Sequence, residues 1–121
     1  MSLKTFTAAY IEAALWSSTD ESNEQGGDPL DKNYGPDDIA PDTRKQMEQD
    51  CRDFYLTWKE WWGTDWSDEQ AGHDFWLTRN HHGAGFWDGD YPEPQGTELT
   101  DAAQAYGNFD LYVSDGKVHG S

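Results

Sequence analysis

From Ala71 to Asp90 the chain reads Ala-Gly-His-Asp-Phe-Trp-Leu-Thr-Arg-Asn-His-His-Gly-Ala-Gly-Phe-Trp-Asp-Gly-Asp, a stretch that gathers four aromatics and three of the four histidines. Alternation puts His73, Phe75, Leu77 and Arg79 on one face of a strand and Asp74, Trp76, Thr78 and Asn80 on the other. Asn80-His81-His82-Gly83 then reads as a turn. Gly83, Ala84 and Gly85 leave room for a bulge before Phe86 and Trp87 resume the strand. A β-hairpin is predicted here.

The remaining elements follow from periodicity. Thr5 to Ser17 is predicted as a helix, with Phe6, Tyr10, Ala13 and Ala14 on one stripe, widened by Ile11 and Leu15, and Thr5 or Thr7 as its cap. Ser18 to Ala40 reads as a long acidic loop carrying Asp20, Glu21, Glu24, Asp28, Asp31, Asp37 and Asp38, with Lys32 its one base. Pro41 to Trp62 is the strongest helix, with proline at its first position and Gly63 at its end. Met47, Cys51, Phe54, Tyr55, Trp58, Trp61 and Trp62 form its apolar stripe, and Arg44, Lys45, Arg52 and Lys59 lie among acids on the other face. Thr64 to Gln70 reads as a turn in which Ser67 caps one short helical turn, and Tyr91 to Gln95, with two prolines, as an extended connection.

A short helix from Thr97 to Gly107 uses Leu99, Ala102, Ala103 and Tyr106. Phe109, Leu111 and Val113 alternate as a third strand. Asp115-Gly116 signals a type I′ turn, which returns Lys117 to His119 as a fourth strand. The fold class expected is α+β: an antiparallel sheet of three to four strands packed on two long helices and one short helix, within a single domain over 1–121 and with an acidic loop at about 18–40.

Composition narrows the functions. Only 35% of the 121 residues are hydrophobic, but 15% are aromatic, so large rings must supply most of the burial. Twenty-four acids against eight bases give a formal charge of −16. Such a surface repels nucleic acid and anionic membrane and attracts basic protein surfaces. Direct nucleic-acid binding and membrane association are not expected. Cys51 is the only cysteine, so no internal disulfide can form. No stretch resembles a signal peptide or a membrane span, and the expected compartment is the cytoplasm.

The segment Gly72-His73-Asp74-Phe75-Trp76-Leu77-Thr78-Arg79-Asn80, continued by His82-Gly83 and Gly85-Phe86-Trp87-Asp88, resembles a family of small acidic proteins encoded by phages and prophages. The likeness extends to Ala9 to Ser18, to Asp38-Ile39-Ala40-Pro41 and to Phe109-Asp110-Leu111-Tyr112-Val113, so it covers nearly the whole chain. His81 departs from the family pattern, which has glycine there. The resemblance implies a phage accessory role in the host cytoplasm and assigns no catalytic residue.

Candidate site residues fall in two groups. Around the hairpin stand Asp74, Trp76, Arg79, Asn80, His82, Trp87 and Asp88, with the two tryptophans expected on an exposed sheet face as binding anchors. In the loop stand Asp20, Glu21, Glu24, Asp28, Asp37 and Asp38. Each hairpin residue also has a plainer reading, with Arg79 paired to a carboxylate, His73 at the sheet edge and Asn80 shaping the turn. The loop acids approach the spacing of a calcium loop, but Gln25 stands where glycine is needed and Asp31 where a bidentate glutamate is needed. No metal and no other cofactor is assigned. There is no nucleophile motif and no phosphate-binding glycine loop, which places an enzyme behind a binding protein.

The leading expectation is a phage-encoded acidic binding protein that inhibits a basic host nucleic-acid-binding or defence protein through a nucleic-acid-mimic-like surface. The alternative is a small ligand- or metal-binding domain or enzyme with a site at residues 72–90, built on His73, Asp74, His82 and Asp88. A third reading is an accessory homodimer joined through strand edges or exposed tryptophans.

Overall fold

A computed structural model describes residues 2–20, 28–62, 67–81, 86 and 93–120 of the chain, with backbone alone for residues 20, 28, 61 and 62. The class is α+β. Helix α1 spans Leu3–Ser17, α2 Pro41–Trp62, α3 Asp68–Arg79 and α4 Gln95–Gln104. The strands are β1 (Thr19–Asp20), β2 (Asp28–Pro29), β3 (Leu111–Ser114) and β4 (Lys117–Gly120). No helix of the described residues is long and apolar enough to cross a membrane.

The predicted first arm of the hairpin is helix α3. Ser67 caps it by accepting the Gln70 N–H at 3.0 Å, Asp68 and Glu69 occupy the first turn, and Arg79 stands in the last, an arrangement that suits the helix dipole. Helical spacing gathers Ala71, Gly72, Phe75, Trp76 and Arg79 on one stripe, whereas a strand would mix polar and apolar groups on both faces. The single turn expected at Ser67 therefore propagates for 12 residues. Because almost every side of α3 is buried, its sequence lacks the polar stripe that marks a surface helix. His73 accordingly lies on a helix, not at a sheet edge. The turn at His82-Gly83 and the second arm beyond Phe86 lie outside the described residues.

Helix α3 ends where the hairpin turn was expected. Asn80 Nδ2 donates to the Trp76 carbonyl at 3.0 Å, while its Oδ1 accepts the Phe109 N–H at 2.8 Å. His81 follows at φ 58°, the left-handed conformation with which helices commonly close. A glycine at this position would meet the same backbone requirement.

Among the described residues the strands form two separate two-stranded antiparallel ladders, β1–β2 and β3–β4, and not one sheet of three to four strands. With residues 71–79 in a helix, the predicted first arm of the hairpin is not a strand that could join them. β3 and β4 pair in the register Leu111↔Gly120 to Ser114↔Lys117, and Asp115 and Gly116 turn between them at φ 54° and 74°, as a type I′ turn requires. This hairpin docks on the start of α2. The Ala40 N–H donates to the Val118 carbonyl at 2.8 Å, and the Gly120 N–H donates to Thr43 Oγ1 at 3.0 Å. Within the acidic loop, β1 and β2 pair and short 3₁₀ turns form at Leu30–Lys32 and Pro36–Asp38.

Two helices follow their predicted bounds closely. Helix α2 runs from Pro41 to Trp62 as expected, and α1 starts two residues early, with Ser2, not Thr5 or Thr7, accepting the Thr5 N–H at 2.9 Å. The core between α1, α2 and α3 is a cluster of rings. Phe54 and Phe75 stack at 4.2 Å between centroids, and Phe6, Tyr10, Trp76 and Phe86 pack around them.

The crossing of α1 and α3 depends on Gly72. A Cβ there would sit 2.2 Å from the Phe6 carbonyl oxygen and 3.1 Å from Ala9 Cβ. An ordinary helix interior gains about 1 kcal/mol when glycine becomes alanine. At this site backbone overlap reverses the sign, so Gly72→Ala should lower stability by about 1–3 kcal/mol. Urea unfolding of the two proteins measures the difference, and a stabilised variant would mean that the helices do not meet there.

Candidate functional site

Folding residues 71–79 as a helix redistributes the predicted site. Trp76 is 2% exposed, so it is a core residue and not a surface anchor. Its indole Nε1 donates to Ser17 Oγ at 2.8 Å, and its ring meets Tyr10 edge-on at 5.3 Å. Asp74 is buried as well. Asn80 is spent on closing α3 and holding Phe109. Asp38 accepts the Gly35 N–H at 2.8 Å in its 3₁₀ turn, and Asp37 is exposed beside it. His82, Trp87, Asp88, Glu21 and Glu24 lie outside the described residues, as do the side chains of Asp20 and Asp28.

Arg79 takes the plainer of its two readings, in a more elaborate form than a simple ion pair. It is 3% exposed. Its Nη1 donates to Asp50 Oδ2 at 2.9 Å and to the Tyr10 hydroxyl at 3.0 Å, its Nε to the Gly107 carbonyl at 2.9 Å, and its Nη2 to the Tyr106 carbonyl at 3.1 Å. The guanidinium carbon also lies 5.4–5.8 Å from the ring centres of Phe109, Tyr106 and Phe75. One side chain thus joins α1, α2, α3 and the segment after α4.

His73 Nε2 lies 3.6 Å from Glu12 Oε1 on α1, beyond hydrogen-bond reach. Consecutive helical positions point about 100° apart, so His73 and Asp74 do not converge. Among the described residues no group of three histidine, cysteine or acidic side chains is placed to hold a metal ion.

What the sequence reading missed is a groove between α1 and the first half of α2. It is open to solvent, has a volume of about 610 Å³ and is lined by Leu3, Ala8 and Ile11 together with Lys4, Arg44, Lys45 and Arg52, with Glu48 its one acid. Half of the eight bases in the chain line it. On α2 those bases read as one side of a mixed solvated face. The signal was the matching stripe Lys4, Ala8 and Ile11 on α1, which only the packing of the two helices sets opposite them.

Elsewhere among the described residues, Asp31, Asp37, Glu93, Glu98, Asp101 and Asp110 are all exposed. Compared with known proteins, the chain matches no family model, no curated protein and no solved structure. The site must therefore be read from its own geometry.

The Arg79 network generates two expectations. Arg79→Met leaves Asp50 without its partner and should cost roughly 3–5 kcal/mol, as breaking buried pairs does. Adding Asp50→Asn should recover part of that loss in urea unfolding. If Arg79→Met alone proves neutral, the network does not hold the helices together.

The second expectation concerns alkaline pH. Burial raises the pKa of Tyr10, opposed in part by Arg79, and burial raises the Cys51 thiol well above 9.0. Burial and nearby carboxylates raise Tyr106, which bonds Asp53, and Tyr55, which donates to Asp68 at 3.2 Å. Above the ordinary values of 9.0 for the thiol and 10.0 for the phenols the unfolded chain loses these protons while the folded chain keeps them. Stability from these groups is thus complete below that range and declines as pH rises through it. Melting temperature should fall steadily above about pH 9, and Tyr106→Phe should flatten the fall. A flat alkaline profile in the parent protein would contradict the burial of these groups.

Proposed function

We propose that the protein is a non-enzymatic, phage-encoded acidic binding protein that inhibits a basic host nucleic-acid-binding or defence protein by presenting carboxylates where that partner expects phosphates. The observation that carries this reading is the charge of −16 on a folded domain in which Asp31, Asp37, Asp42, Asp53, Glu60, Glu93, Glu98, Asp101 and Asp110 are exposed. The buried pair of Arg79 and Asp50 cancels within the core, so the remaining 23 acids and 7 bases (24 − 1 and 8 − 1) leave the net charge unchanged. Fixed carboxylates on 3₁₀ turns and helices hold their spacing better than a disordered acidic tail would, as imitation of a phosphate lattice requires. The phage origin rests on the resemblance of residues 72–88. Burial of Asp74 and Arg79 in the core weakens the alternative of a catalytic or metal site at residues 72–90.

The tagged protein should retain one basic nucleic-acid-binding protein from host lysate at low salt and release it at high salt, identified by mass spectrometry. Contacts between exposed charges are screened beyond about 8 Å at physiological ionic strength, so the affinity should drop at least about tenfold across that change. Retention that ignores salt, or retention of no basic protein, would overturn the proposal.

A further inference from the structure

We propose that the groove between α1 and α2 binds a small anionic amphiphile, a single-chain carboxylate whose tail lies on Leu3, Ala8 and Ile11 and whose head meets the surrounding cations. Charge distribution is the first argument. In a chain carrying −16, a patch with four bases and one acid is locally of opposite sign to the whole. Of those bases, Lys4, Lys45 and Arg52 form no ion pair with a described residue, and all three are exposed. Arg44 is held in place by donating Nη1 to the Pro36 carbonyl at 3.0 Å and Nε to Glu48 Oε2 at 3.5 Å, which leaves Nη2 as its donor without a bond among the described residues.

Size is the second argument. The volume of about 610 Å³ lies within the range of about 300–1,000 Å³ found for small-molecule sites. Lys4 to Ile11 and Arg44 to Arg52 each span about 10–12 Å of helix axis. That length accommodates a medium acyl chain and is too short to seat several turns of a partner helix. The lining combines aliphatic Leu3, Ala8 and Ile11 with four cations, so the chemistry recognised is a carboxylate or similar head on an apolar tail. Long-range repulsion by the acidic surface would slow the approach of any anion, and the groove offers one place where it is reversed. This reading is independent of the acidic-surface proposal, because it uses the opposite charge and a different face.

Decanoate is the probe, titrated calorimetrically into the full chain near neutral pH, with decanol as its uncharged counterpart. Decanoate should saturate at one molecule per chain below about 1 mM, and decanol should bind about tenfold more weakly or not at all. Ala8→Trp fills the groove without altering charge, and Arg52→Glu and Lys45→Glu reverse its rim. Each should weaken decanoate by about tenfold or more, while Lys117→Glu, on β4, should leave it unchanged. Circular dichroism confirms that each variant is folded, and if Ala8→Trp is not, the two rim variants decide. Absence of saturable binding by the parent protein would overturn the proposal. So would equal binding of decanol, equal effects of Lys117→Glu and Arg52→Glu, or an acidic amphipathic peptide that binds the groove while decanoate does not.

Discussion

The guanidinium of Arg79 is the constraint on which the rest of the structure depends. An isolated charge in this position would cost several kcal/mol in lost hydration, so it must be met on all sides. Asp50 supplies the counter-charge, Tyr10 and the carbonyls of Tyr106 and Gly107 supply further acceptors, and three aromatic faces surround the plane. Those partners come from α1, α2 and the segment after α4. A charge that cannot be left unpaired forces these segments to one point, which gives the helices a unique arrangement as well as attraction.

Around that point the core is built from rings. A chain with so few aliphatic residues must bury its large side chains efficiently, and Phe6, Tyr10, Phe54, Phe75, Trp76 and Phe86 do so by stacking and edge-on contact. Rings of this size fit only if the backbones carrying them approach closely elsewhere. Gly72 provides that approach, with the Phe6 carbonyl directly over the position where a side chain would begin. Large residues and one absent side chain are two halves of the same packing solution.

Charge is segregated by the same architecture. One arginine goes inward, four bases gather along the groove of α1 and α2 with Glu48 as the acid among them, and exposed acids stand on α4, in the Leu30–Lys32 and Pro36–Asp38 turns and on the far side of α2. The described residues therefore present exposed carboxylates on several faces and one cluster of four bases beside the α1–α2 groove. Neither involves the residues around 72–80 that first drew attention, because those are consumed in making the fold.

The sequence by itself determined the α+β class, the bounds of α2, the type I′ turn at Asp115-Gly116 and the charge. Each of these rests on local physics: proline at a helix start, residues that tolerate positive φ, and a sum of ionised groups. The state of residues 71–79 was decided only by tertiary structure. Alternation of Phe75, Leu77 and Arg79 against Trp76 and Thr78 is equally a strand pattern and the pattern of a helix buried on all sides, since periodicity reports a boundary with water and α3 has almost none. Ser67, Asp68 and Glu69 were the local signs of the helix, and their weight was visible only once Phe75 and Arg79 had partners. The groove was beyond reach for the related reason that its two walls lie some forty residues apart, and a site made by juxtaposing two helices exists in neither one alone.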